Sequence, residues 1–178
     1  MTENSETDEC AACSESAIGP HPIFDLCEAQ HFDEALQICR SELARNPNDA
    51  AGYRHTAIVL ELMNNMIEAL SYRNKVVELA PECTMSYFAR ADLLYRMGNY
   101  AAAIADFTRS AELDREQTLG PTNYLYRADC HRRLGDYERA IADCAQVPDD
   151  FDFPGFLGQW EGSKHHLLAE ILHERGRR

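Results

Sequence analysis

The chain repeats itself, and the repeat limits what it can fold into. Tyr53 and Tyr87 stand 34 residues apart, as do Pro47 and Pro81, and Ala35, Ala69 and Ala103 keep the same interval. From Ala103 to Ala140 the step is 37, as it is from Tyr87 to Tyr124, so three residues are inserted between Ala103 and Tyr124. The last two units align closely. Tyr87-x-x-Arg90-Ala91-Asp92 recurs as Tyr124-x-x-Arg127-Ala128-Asp129, and Gly98-x-Tyr100-x-x-Ala103-Ile104-Ala105-Asp106 as Gly135-x-Tyr137-x-x-Ala140-Ile141-Ala142-Asp143. A period of this length means a supersecondary unit that cannot bury its apolar face alone and must stack on neighbours.

Within each unit the apolar spacing is helical. Ile58, Leu62, Leu93, Leu94 and Met97 follow it, as do Ala103, Ile104, Phe107 and Ala111. Helices of about 14 residues are too short to persist alone in water, so they must pack on one another. Ala57, Ala91 and Ala128 permit close approach of paired helices. Asn64, Gly98 and Gly135 stand at the turns between helices, where a left-handed backbone favours Asn or Gly. Pro47 and Pro81 close the second helices, because proline cannot donate the next hydrogen bond. The third repeat carries Arg115 at that place, and its three inserted residues with Pro121 predict a longer helix or a loop.

An early aromatic, a small residue four later, a turn glycine, Tyr-x-x-Ala and a late proline together resemble the tetratricopeptide repeat family. The best copies are about 50–83, 84–117 and 121–147, with a degenerate copy at about 22–49 that keeps Phe32, Ala35 and Pro47. The resemblance implies an all-α fold, a right-handed superhelical stack of antiparallel helix pairs. It implies a protein-interaction scaffold, without naming a partner. After Ala145 the pattern fails. A Pro/Gly loop with Phe151, Phe153, Phe156 and Trp160 follows, then a helix capped by Ser163 with Leu167, Leu168, Ile171 and Leu172 on one stripe. The expected domains are an acidic disordered arm at 1–20, four helical hairpins at 21–147, the aromatic loop at 148–162, and a capping helix with basic tail at 163–178. The loop aromatics are expected to pack beneath the loop and anchor that cap, the alternative being an exposed partner-binding segment.

Charge narrows the function. Seventeen Lys and Arg against 30 Asp and Glu give a formal net charge of -13, which argues against nucleic acid or an anionic membrane as partner. No apolar run is long enough for a membrane span, and the acidic start does not read as a signal peptide. Seven cysteines without framework spacing predict free thiols and a cytoplasmic location.

The chemistry-bearing residues read mostly as structural. Cys10-x-x-Cys13 lacks the further ligands a zinc site needs. Cys39 and Cys144 occupy the place that Phe107 takes in the third repeat, which marks them as core. His166 and Glu170 have metal-ligand spacing on the last helix, near His165 and His173, but no further partner is visible in the sequence. Arg127, Arg132, Arg133 and Arg139 interleave with Asp129, Asp136, Glu138 and Asp143, so local pairing is expected. No catalytic residues, metal or cofactor are therefore expected, and no enzymatic activity.

Relatives that capture the C-terminal carboxylate of heat-shock chaperones use Lys and Asn on successive first helices, then Lys and Arg. The matching positions here are Arg54, Ile58, Ala89, Thr122 and Tyr126, of which only Arg54 keeps the charge. The resemblance instead implies a concave face lined by Arg54, Ile58, Glu61, Leu62, Phe88, Asp92, Tyr95, Arg96, Tyr126, Asp129 and Arg133. Their acids predict a ligand segment carrying Lys or Arg beside an apolar residue, bound by an adaptor or chaperone-like module. The rival reading is an acidic inhibitor or immunity-type protein that neutralises a basic enzyme. Arg90 with Asp106, and Arg127 with Asp143, each 16 apart, are expected to bridge the two helices of a repeat.

Overall fold

A computed structural model describes residues 21–116, 118–151 and 164–177. All regular structure among these residues is helical, and the chain divides into two compact units between Ser86 and Tyr87. The first unit holds α1 (Pro22–Glu28), α2 (Phe32–Arg45), α3 (Ala50–Leu62) and α4 (Met66–Leu79). Helix α5 (Thr84–Arg96) begins in the first unit and lies mostly in the second. There it is followed by α6 (Tyr100–Leu113), α7 (Gly120–Arg133), α8 (Tyr137–Cys144) and α9 (Lys164–Arg175).

The repeated turn residues produce the repeated hairpins. Asn64 (φ 59°), Gly98 (φ 77°) and Gly135 (φ 77°) are left-handed, as the sequence pattern requires, and Gln30 (φ 61°) plays the same part in the first hairpin. Each of these turns closes with two backbone bonds of the Schellman type. Asn99 N–H reaches the Leu94 carbonyl and Gly98 N–H the Tyr95 carbonyl, both at 2.9 Å, satisfying carbonyls at the end of α5. The same pair recurs after α1, α3 and α7.

The small residues sit where helices meet. Ala35, Ala57, Ala69, Ala91, Ala103, Ala128 and Ala140 are all fully buried. At Gly52 the approach is closer still: a Cβ there would stand 2.9 Å from Leu43 Cδ2, so a larger residue would have to push that side chain aside. Cys39, Phe107 and Cys144 are each fully buried, in keeping with their equivalence in the repeat.

One open alternative is decided and two expectations are revised. The insertion before Pro121 is a loop: Asp114 ends α6 and accepts hydrogen bonds from the backbone N–H groups of Thr118 (3.1 Å) and Leu119 (2.7 Å). Pro121 then enters the first turn of α7, where its missing N–H costs nothing. Helices α1 and α8 have only 7 and 8 residues, shorter than the repeat pattern predicts. Cys83 is disulfide-bonded, whereas Cys27, Cys39, Cys130 and Cys144 are free, so the thiols are not uniformly reduced. The acidic arm with Cys10 and Cys13, the aromatics Phe153, Phe156 and Trp160, and the Ser163 cap lie outside the described residues. Helix α9 packs on α8 and α7, burying Leu167 and Ile171 completely. Among the described residues no helix is long and apolar enough to cross a membrane.

Candidate protein-binding face

In the second unit the candidate residues sit on the first helices of successive repeats, α5 and α7. Their aromatic members do not stand open. Phe88 (2% exposed), Tyr95 (8%) and Tyr126 (3%) are core residues. Tyr126 stacks on Phe107, with centroids 5.2 Å apart and an interplanar angle of 12°. It also meets Tyr95 edge-on at 5.3 Å and Phe88 at 6.1 Å. Edge and offset contacts of this kind lock ring positions as well as burying area.

A polar network lies on top of these rings. Tyr95 donates its hydroxyl proton to Asp129 Oδ2 at 2.6 Å. Arg133 donates through Nε to the same oxygen at 2.6 Å, and Arg132 through Nε to Oδ1 at 2.8 Å. Burial alone would push the Asp129 carboxyl up, but hydrogen bonds from Arg133, Tyr95 and Arg132 outweigh it and hold it below the usual carboxylate range. Burial and the Asp129 contact push the Tyr95 phenol up, so it remains protonated as a donor. Arg132 also reaches Glu174 on α9 at 2.5 Å. The guanidinium of Arg133 lies over two rings, 5.5 Å from the Tyr95 centroid and 5.3 Å from that of Tyr100. Its side chain is 39% exposed.

The acidic row expected to select a basic ligand is therefore neutralised within the chain. Asp129 has two arginine partners, and Asp92 lies 3.6 Å from Arg96 in a nearly buried pair. In the first unit, Glu61 is bound by Arg73 at 2.7 Å, with both side chains 8% exposed. Buried carboxylates need such partners, which is why the row cannot stand open. Of the remaining first-unit candidates, Arg54 and Ile58 are half-buried and Leu62 is 50% exposed.

The expected intra-repeat bridges are present. Arg90 Nε binds Asp106 Oδ2 at 2.6 Å and Nη2 binds Oδ1 at 2.8 Å, a bidentate fork. Arg127 makes the matching fork to Asp143. The second repeat has Thr56 in the arginine position, and its hydroxyl instead donates to the Gly52 carbonyl at 2.8 Å. The buried thiols are poor nucleophiles, because desolvation pushes Cys39 up to about 11 and Cys130 to about 12. One grouping escaped the motif reading. His21, Glu42 and His55 converge in the first unit, and no recognised ligand spacing in the sequence marks them.

Residues 88–152 match the model of a tetratricopeptide repeat family. The structure resembles MamA, with a TM-score of 0.72 at 16% identity over 88% of this chain and 86% of that one. It also resembles MamA from Desulfovibrio magneticus RS-1 (TM-score 0.70, 15% identity, 86% of this chain and 81% of that one). A thermophilic TPR protein of Thermus thermophilus matches at a TM-score of 0.58 and 17% identity, over 85% of this chain and 78% of that one. The type III secretion translocator chaperone SycD of Yersinia enterocolitica matches at 0.55 and 12% identity, over 65% of this chain and 81% of that one. No curated protein sequence matches the chain. Repeated hairpins, their turn chemistry and the matched segment give this chain the fold of tetratricopeptide repeat proteins, with the repeat itself identified over residues 88–152.

Proposed function

We propose that the protein is a non-enzymatic interaction scaffold whose first-helix residues hold a segment of another protein. The fold it shares with a secretion chaperone supports the general class. The observation that carries the finer reading is Arg133, stacked on Tyr95 and Tyr100 and pinned through Nε to Asp129 and through Nη1 to the Tyr100 hydroxyl, with its side chain still 39% exposed. A pre-organised arginine loses little freedom on binding, and arginine framed by tyrosine rings is a frequent binding hot spot. With the acids of the face already paired, selectivity for a basic ligand has little support despite the net charge of -13. The favoured ligand offers a carbonyl or carboxylate oxygen to Arg133 and an apolar side chain to the edge of Tyr100.

Photo-crosslinking side chains placed singly at Met97 and Leu134, exposed beside Arg96 and Arg133, test the reading, with Lys75 and Arg109 on second helices as controls. The expected result is capture of one common polypeptide from the first pair and not from the controls. Titration of that partner against Arg133→Ala should then show at least about tenfold weaker binding, or ~1.4 kcal/mol. Capture confined to Lys75 and Arg109, or unchanged affinity in Arg133→Ala, would place binding elsewhere.

A further inference from the structure

Three side chains from separate stretches of the first unit meet at one point. His21 immediately precedes α1 and caps it, Glu42 lies near the end of α2, and His55 lies in the second turn of α3. One ring nitrogen from each histidine and one carboxylate oxygen all lie within 4.8 Å of one another. His21 Nε2 is 3.0 Å from Glu42 Oε1, and the two imidazole centroids are 4.5 Å apart. Phe24 closes one side, edge-on to His55 at 5.7 Å and to His21 at 6.4 Å.

His55 is the unusual member. It is 5% exposed, yet its Nε2 has no hydrogen-bond partner. A buried polar atom left unpaired is costly, and such atoms in folded proteins commonly have a role that fills them.

We propose that His21, Glu42 and His55 bind one divalent transition-metal ion of the zinc type. Two imidazole nitrogens and one carboxylate oxygen are a ligand set zinc accepts with three protein donors and a water in the fourth place. Calcium and magnesium demand oxygen donors, which two of these three residues lack. The side chains of His21 and Glu42 are 23% and 30% exposed, which leaves a route for the ion and its water. His21 Nδ1 accepts from the Ile23 backbone N–H at 3.4 Å. Ligation through Nε2 would move the ring proton to Nδ1 and displace that contact, which is long and therefore weak. The consequence is structural: α1, with 7 residues, is too short to hold its own helix, and the ion would clasp its start to α2 and α3.

The test uses the full chain, freed of metal by a chelator and titrated calorimetrically with zinc chloride near neutral pH. One bound equivalent is expected, with a rise in Tm as zinc is added, since only the folded chain presents the site. His21→Gln and Glu42→Gln should each weaken binding at least about tenfold, with helicity checked by circular dichroism. A His166→Gln chain should keep the site. A second measurement needs no ligand variant: zinc should protect His21 of the wild-type chain from carbethoxylation, mapped by mass spectrometry. No bound equivalent, binding that survives both ligand variants, or an unprotected His21 at saturation would overturn the proposal.

Discussion

At the scale of single residues, the clearest contributions are the two bridging forks and the left-handed turn positions. The Arg127 and Asp143 side chains are 19% and 8% exposed, so removing one partner leaves a desolvated charge behind. Arg127→Ala should cost about 3 kcal/mol, and a double-mutant cycle with Asp143→Asn should give a coupling of ~2 kcal/mol. The exposed Lys75–Glu78 pair should show a much weaker coupling by the same cycle in urea unfolding. A coupling near zero for Arg127 and Asp143 would remove the claim that the fork stabilises the repeat. Gly98 isolates a backbone effect: a Cβ there meets nothing within 4 Å, so only its φ of +77° opposes a side chain. Gly98→Ala should destabilise by ~1 kcal/mol and Gly98→Asn by less, since Asn64 already adopts this conformation in the second repeat. Equal losses for the two variants would mean that something besides φ is at stake.

At the scale of elements, α9 shows which forces attach a helix to a repeat. Its apolar contacts bury Leu167 and Ile171, while its ion pairs to α7 and α8 are half exposed: Glu174 is 39% exposed against Arg132, and Arg175 is 49% exposed against Glu138. Leu167→Ala should therefore cost about 2–4 kcal/mol in urea unfolding, and Glu174→Gln under ~1 kcal/mol. The reverse order would mean that the helix is held by charge. The position of this helix was legible in its apolar stripe. The chain of contacts from α9 through Arg132 to Asp129 and Tyr95 was not, because it joins residues 34 and 42 apart through side-chain geometry alone.

At the scale of the whole molecule, pH exposes a cost of burying histidine in an acidic chain. Burial, the largest influence, depresses His131, and Arg127 and Arg139 act in the same direction, against Asp143 and Asp136, which raise it. A histidine whose folded pKa lies below its unfolded value of about 6.5 contributes stability that is intact above that value. Below it the unfolded chain takes up the proton first, so stability falls until the folded pKa is reached. Urea midpoints should accordingly drop as pH falls below about 6.5, and His131→Gln should flatten part of that slope. An identical slope in the variant would clear His131 of any share.

Repeat spacing, turn glycines and terminal prolines determined the hairpins from sequence alone, since each is a local constraint: a φ above zero, a missing N–H, a helix too short to stand by itself. Local spacing also exposed the Arg90–Asp106 and Arg127–Asp143 forks, because the repeat supplied the register of one helix on the next. Tertiary structure alone decided which first-helix side chains remain open. Spacing places Phe88, Tyr95 and Tyr126 on the face but cannot tell that the rings close on Phe107, or that Asp92 and Asp129 each acquire an arginine. It alone also brought His21, Glu42 and His55 together. These residues share no motif, and what unites them is the packing of three helices, whose distances no local rule contains.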